Sequence, residues 1–277
     1  MEAAPMAFLT EPEPGRYAPH PVAPGITRLV APNPGPMTYH GTNTYLIAQD
    51  DGYAVLDPGP DDAGHIAAVL AATDGRVARI LVSHTHPDHV EGVAALQQAT
   101  GAPVAAWHAA GGGLAPDIPL RDGDEIGGLV ALHTPGHAAD HVCFATSGGV
   151  LFSADHVMSW STSVVNPPDG DMAAYFDSLR RVLAREDALY LPGHGPALPE
   201  PRRLVRAMLA HRMARENAIA AALRENPHSA GGLVEMMYGM LAVPLRPVAE
   251  RSVVAHLLKL ESEGRARRDD DLWHGVG

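Results

Sequence analysis

One cysteine, one lysine and no long apolar run set the first limits on this 277-residue chain. Cys143 alone cannot form an intramolecular disulfide, so a reducing, cytoplasmic compartment is the expectation. No stretch approaches the roughly 20 uninterrupted apolar residues that a membrane span needs, and no membrane partner is expected. The opening Met1-Glu2-Ala3-Ala4-Pro5 lacks the basic start and apolar core of a secretory leader. Cys143 itself lies in the strand-like His141-Val142-Cys143-Phe144 and reads as a small core residue. With lysine confined to Lys259 and a net charge of −12, a generic nucleic-acid binder is disfavoured. The average hides a split. Residues 1–201 carry 8 basic and 23 acidic side chains, whereas residues 202–268 carry 12 and 6. That asymmetry points either to an anionic partner for the basic segment or to an arginine-rich helix that solvates itself.

Apolar residues are plentiful at 46%, enough for a sizeable core, and the length suits one large domain followed by a small one. Residues 1–24, rich in Pro, Ala and Glu, read as an extended or loosely attached lead-in. Over residues 25–200, short β-rich runs punctuated by Gly and Pro alternate with fewer helical stretches. Residues 43–48 and 53–56 flank Asp50-Asp51-Gly52, a hairpin signal. Residues 77–82 read as a buried strand, and 90–100 as a helix stopped by Gly101. Strands are predicted at 129–133, 141–145, 150–153 and 188–191, with a helix at 172–185. Two sheets with helices outside would bury such strands. From 201 to 277 the pattern turns helical: one long amphipathic helix at 202–224, shorter ones at 233–240 and 248–263, and a small hairpin or wing at 266–273. The domain boundary is placed at 199–201.

The strongest chemical signal is Ser83-His84-Thr85-His86-Pro87-Asp88-His89. Imidazole and carboxylate are donors that Zn²⁺ or a similar divalent ion accepts. Four potential ligands in six residues, directly after a buried strand, converge only if the backbone forms a tight loop. Alternation lets His84 and His86 face one ion while Asp88 and His89 turn toward a second. Three more candidates follow apolar strands: His137 after Pro135-Gly136, Asp155 after Ser153-Ala154, and His194 after Pro192-Gly193. Pro-Gly is a turn dipeptide that lets the backbone swing a side chain into a cleft.

In this order the residues resemble the metallo-β-lactamase superfamily over about residues 26–198. The resemblance implies an α/β fold, an αββα sandwich, and a hydrolase with two divalent metal ions, Zn²⁺ first with Mn²⁺ or Fe²⁺ as alternatives. It places His84, His86 and His137 on one ion, Asp88, His89 and His194 on the other, and Asp155 between them. It also implies that Asp57, in Val55-Leu56-Asp57-Pro58-Gly59, supports the site from behind, so Asp57 and Asp88 are the catalytic candidates. A metal pair of this kind makes hydroxide available near neutral pH and stabilises charge on an attacked phosphoryl or carbonyl oxygen. Superfamily members that hydrolyse β-lactams carry a cysteine where many hydrolases carry the shared aspartate, so Asp155 argues against that substrate.

Residues 38–46 and 160–170 are similar to the β-lactamase-like-protein-2 branch, whose best-known animal member cuts single-stranded RNA. That resemblance implies a phosphodiesterase acting on single-stranded RNA, with residues 201–277 as a helical, winged-helix-like domain. Asn43, Thr44 and Ser163 offer neutral donors and acceptors and are the substrate-binding candidates, while Tyr39 and Trp160 could stack on a base. The alternative is a small-molecule thioester, ester or lactone, as in glyoxalase II and acyl-homoserine lactonases. A third class is a non-catalytic, metal-stabilised binding module, disfavoured because no ligand is missing. Self-association into a homo-oligomer is left open.

Overall fold

Apolar runs too continuous for a half-exposed sheet become strands covered on both faces. The computed structural model describes residues 6–239 and 246–276. Its first sheet follows the chain: β1 (His20–Ala23), β2 (Ile26–Val30), β3 (Asn43–Gln49), β4 (Gly52–Leu56), β5 (Val77–Leu81), β6 (Val104–Trp107) and β7 (Ile118–Leu120). β1 to β4 pair antiparallel, and β4 to β7 run parallel. The second sheet contains β8 (Glu125–Ile126), β9 (Leu129–His133), β10 (Val142–Thr146), β11 (Val150–Ala154), β12 (Leu189–Pro192) and β13 (Leu198–Pro199), in order β13-β12-β11-β10-β9-β8.

Three apolar clusters show how the layers stack. Tyr45, Leu56, Leu81, Phe144 and Phe152 meet between the sheets. Burial of such side chains stabilises by roughly 1.5–3 kcal/mol each. Leu46, Val55 and Ile80, on the opposite face of the first sheet, pack on Ile66 and Val69 of α1 (Ala63–Ala72) and Leu96 of α3 (Val93–Thr100). Cys143 and Leu151 face the other way, against Tyr175, Phe176 and Leu179 of α4 (Met172–Leu183) and Leu204 and Met208 of α5 (Arg202–Glu225). The order is helix, sheet, sheet, helix. Cys143 is a buried core residue as expected, with burial pushing its thiol up to about 12.

The predicted hairpin and strands are present, β1, β2, β6, β7, β8 and β13 are additional to them, and the helices depart from expectation twice. The helix expected at 90–100 is two pieces, α2 (Pro87–Val90) and α3. Gly92 lies between them, where its N–H bonds the Gly59 carbonyl and a Cβ would stand 3.0 Å from the Pro58 oxygen. Gly101 ends α3 in the left-handed conformation, φ 68°, as its stop signal required. Helix α1, capped by the Asp62 carboxylate on the His65 N–H, was not foreseen.

Of the two readings of the lead-in, loose attachment is the one that the described residues contradict. Residues 1–5 lie outside the described residues, but the rest is tied down: β1 extends the first sheet, Glu11 grips Arg28 through two 2.9 Å bonds, and Leu9 bonds the Ser159 carbonyl. Salt-bridge and main-chain partners at a distance of 17 and more residues outweigh the local composition.

After α5 come α6 (Ala230–Tyr238), α7 (Arg246–Ser262) and the hairpin β14 (Ala266–Asp269)–β15 (Leu272–Gly275). The expected end of the 233–240 helix, Met240, lies outside the described residues. Ile219, Leu223, Leu233, Leu257 and Trp273 form a separate core there. Because the first half of α5 packs on the two-sheet sandwich and its second half in this C-terminal core, packing shows no break at 200/201. Among the described residues no helix is long and apolar enough to cross a membrane.

Candidate metal centre

The seven predicted ligands come from four chain segments at one end of the two sheets, and the backbone shows why they meet. His84, His86, Asp88 and His89 follow β5, with Pro87 opening α2 so that the chain turns back on itself. The sheets are stitched together here: Ser83 O accepts from Val142 N at 2.7 Å, Asn43 N donates to Gly193 O at 2.7 Å, and Thr42 bridges His194. Asp57, just past β4, and Ala154, the last residue of β11, occupy the left-handed region at φ 52° and 41°. Non-glycine residues there carry strain that surrounding structure must hold, a common feature of functional sites. Ala154 aims Asp155 inward. Gly193 is required by proximity, since a Cβ would lie 2.4 Å from Asp155 Oδ1 and 2.8 Å from His89 Cε1.

Three groups of donors form, two of which share no residue, while the third, His84, His89 and Asp155, draws on both. His84, His86 and His137 make one, and Asp88, His89 and His194 the other, with the donor atoms inside each group all within 4.8 Å of one another. In the first, His86 Nδ1 lies 3.0 Å from His84 Nε2 and 2.9 Å from His137 Nε2. In the second, Asp88 Oδ2 is 3.2 Å from His194 Nε2 and 3.6 Å from His89 Nε2. Asp155 stands between them. Its Oδ1 is 3.6 Å from His89 Nε2, and its Oδ2 is 3.6 Å from His137 Nε2 and 3.5 Å from His194 Nε2.

Proton bookkeeping at the outer nitrogens tests whether a cation fits. His89 Nδ1 faces the Asp57 carboxylate at 2.9 Å, His137 Nδ1 the Val164 carbonyl at 2.6 Å, and His194 Nδ1 the Gly41 carbonyl at 3.2 Å. All three partners only accept, so each Nδ1 is the donor. Ser83 Oγ gives its one proton to Asp57 Oδ2 at 2.7 Å, so at 2.9 Å it accepts from His84 Nδ1. In the neutral rings the four Nε2 lone pairs therefore point inward, where none can donate to another. Outer-nitrogen bonding of this sort is how metal-holding histidines are oriented. The buried His89 Nε2 and Asp155 Oδ1 have no hydrogen-bond partner among the described residues, a lack that a shared cation would remove.

The electrostatics agree. Burial works against protonation of His89, but Asp88, Asp155 and Asp57 push it up to about 9. Burial likewise opposes His194, yet Asp155 and Asp88 raise it to about 10. Against their own burial, Asp88 is drawn down to about 2 by His89 and His194, and Asp155 well below the carboxylate range by His194, His89 and His137. Burial, with help from neighbouring imidazoles, lowers His84 and His137. The centre thus attracts positive charge in one half and keeps its imidazoles neutral, hence ligating, in the other.

Asp57 stands behind the centre, 2% exposed, accepting from Ser83 N and Ser83 Oγ at 2.7 Å as well as from His89. The three substrate-binding candidates are corrected, because each is buried with its polar atoms spent internally. Asn43 donates to the carbonyls of Pro192 and Gly195 and so holds the His194 loop. Thr44 donates to the Asp57 carbonyl at 2.7 Å and meets His65 Nε2 at 2.8 Å. Ser163 donates to the His156 carbonyl at 2.9 Å. Tyr39 and Trp160 pack on each other, ring centroids 5.0 Å apart, and the Tyr39 hydroxyl bonds the Glu11 backbone.

Two carboxylates were missed. Asp169 reaches within 3.5 Å of His86 Nε2, and Asp140 binds Thr85 Oγ1 at 2.6 Å, fixing the residue between the first two histidines. Asp169 lay in a Pro-Pro-Asp-Gly turn, where an aspartate is ordinary, and Asp140 had no motif to mark it.

Residues 37–194 match the Metallo-beta-lactamase superfamily, and residues 229–273 the Beta-lactamase associated winged helix domain. The Beta-lactamase-like protein 2 homolog of Drosophila melanogaster is 31% identical over 268 residues, covering 87% of this chain and 89% of that protein. An atrochrysone carboxyl ACP thioesterase of Paecilomyces divaricatus is 29% identical over 237 residues, covering 78% of this chain and 69% of its own. A Beta-lactamase domain protein from Burkholderia ambifaria shares the fold with a TM-score of 0.80 at 24% identity, over 95% of each chain. On these matches, and on the sandwich and donor set they accompany, the chain belongs to the metallo-β-lactamase superfamily, with that superfamily's associated winged-helix domain at its C-terminal end.

Proposed function

We propose that this chain is a two-metal hydrolase of acyl thioesters. The observation that carries the metal reading is the pair of separate three-residue donor groups with the Asp155 carboxylate spanning both. Two bound divalent ions would make water acidic enough to act as a nucleophile near neutral pH and would polarise the attacked oxygen. Asp57 keeps the His89 tautomer and ring fixed. Asp88, with 30% of its side chain exposed, is the more exposed of the two carboxylates in the donor set, and its Oδ2, 3.2 Å from His194 Nε2, would hold a metal ion together with His89 and His194.

The substrate ranking departs from the single-stranded RNA that the resemblance to the β-lactamase-like-protein-2 branch implies, because the arginines that would add phosphate contacts are largely engaged. Arg212 is buried and bonded to Ser163 and Ser252, Arg202 bonds the Arg185 carbonyl, and Arg215 covers the Tyr238 ring at 4.0 Å. Arg265 is paired with Glu216 and Glu263, and Arg267 and Arg268 with Asp269 and Asp271. Arg203 and Arg206 open onto a cleft of about 530 Å³ beside Leu9, Leu198 and Leu204, which no candidate ligand lines. Phosphate binding needs free cations, and each neutralised one removes a counterion-releasing contact. A relative that is a thioesterase by name supports the acyl reading.

Zinc- and manganese-loaded protein assayed in parallel on an acyl-N-acetylcysteamine thioester, S-lactoylglutathione, bis(p-nitrophenyl) phosphate and a labelled single-stranded RNA separates the classes. Thioester turnover at least about a hundredfold above either phosphodiester is expected. RNA cleavage without thioester turnover reverses the ranking.

A further inference from the structure

A guanidinium buried without an anion is expensive, and the chain keeps one beside the metal centre. Arg212, in the middle of α5, is 7% exposed. Its bonded partners are all neutral: Nη2 donates to the Ser163 carbonyl, Nη1 donates to Ser252 Oγ on α7 at 3.0 Å, and the Tyr175 ring lies 5.6 Å from Cζ. Among the described residues no carboxylate forms an ion pair with it. Taking a charge out of water with only neutral partners is costly, more so than placing an apolar residue there. The stability of the helix bundle alone does not account for such a residue.

What it touches does. Residues 155–170 form neither helix nor strand, so no ladder of hydrogen bonds fixes their carbonyls. Yet Val164, directly after Ser163, supplies the oxygen that orients His137 at 2.6 Å. The same loop is gripped where it leaves Asp155: Ser163 Oγ and Tyr175 Oη both donate to the His156 carbonyl, at 2.9 and 3.0 Å. Arg212 therefore holds the loop at the peptide next to the His137 contact and stacks over the tyrosine that holds its beginning.

We infer that Arg212 is a positioning residue for the metal centre, through which α5 and α7 set the ring of His137. The inference rests on the reading that His84, His86 and His137 hold a metal ion. It gives the C-terminal helices a part in metal retention that requires no contact with substrate.

Cobalt(II) serves as the probe, titrated into metal-free protein against a competing chelator, with its visible absorption reporting the nitrogen ligands. Melting temperature and circular dichroism of the metal-free proteins are followed alongside. Arg212→Met is expected to weaken cobalt binding about tenfold, the lower end of what outer partners of metal-holding histidines contribute, and to change the absorption spectrum. Arg212→Lys, whose single ammonium reaches one of the two partners, is expected to weaken it about threefold. Glu216→Gln is the control: it lies one turn away on α5, tied to Lys259 and Arg265 rather than to the loop. It should lower the melting temperature and leave cobalt affinity unchanged. Wild-type cobalt affinity and spectrum in folded Arg212→Met overturn the inference, as does equal weakening by Glu216→Gln. If Arg212→Met does not fold, wild-type behaviour of Arg212→Lys overturns it instead. Failure of the wild-type protein to bind cobalt is a different result, removing the metal reading and this inference with it.

Discussion

Asp155→Ala is expected to lower hydrolytic turnover about 10²–10³-fold, the largest effect of any single substitution in the centre. Among the described residues Asp155 is the one carboxylate that reaches both donor groups, with an oxygen toward His89 and the other toward His137 and His194. Polarisation by correctly held ions contributes several kcal/mol to the transition state, and 1.36 kcal/mol is a factor of ten in rate. Alanine leaves each donor group its three residues, so metal uptake should weaken rather than vanish while the working separation of the ions is lost. Steady-state turnover at saturating metal reads this directly. A loss below tenfold would mean that Asp155 spans nothing that matters to the reaction.

Asp57→Ala should damage both stability and metal retention, although Asp57 is buried behind the donor groups. Its carboxylate accepts three bonds, from Ser83 N, Ser83 Oγ and His89 Nδ1. Alanine strands these donors in a buried place, at about 1–3 kcal/mol for each that finds no new partner. Urea unfolding of the metal-free protein should therefore show a loss of about 2–4 kcal/mol. With the His89 ring no longer fixed, metal affinity at the Asp88–His89–His194 group should fall about 10–100-fold. Unchanged affinity in a folded variant would assign Asp57 to the framework alone.

The candidate ligands stand out in the sequence because metal chemistry restricts residue type so sharply. Few arrangements other than a metal loop place His84, His86, Asp88 and His89 within six residues of a buried strand. His137, Asp155 and His194 could be read only through order and resemblance, since their proximity depends on the Thr42–His194 bridge and the Val142–Ser83 bond between two sheets. The strands named from the sequence were legible because their apolar runs are nearly continuous, whereas β1, β2, β6, β7, β8 and β13 were not among them. Helix α1 was not legible, because an alanine-rich segment capped by one aspartate has little periodicity to show. The failures share a cause. Asn43, Thr44 and Ser163 are hydroxyl and amide side chains whose use depends on which way the backbone faces, and here they face inward to bond loop carbonyls. Arg202, Arg212 and Arg215 similarly count as surface charge in a sum over residues, while in the fold they bond carbonyls or cover an aromatic ring.

That two metal ions sit in this centre is tested most directly by counting them. Metal-free protein incubated with excess zinc near neutral pH, desalted and analysed for metal and protein should hold two zinc ions per chain. Under the same treatment His86→Ala and His194→Ala should each hold about one, because these residues belong to different donor groups. A reproducible ceiling of one zinc ion in the wild-type protein would contradict the account.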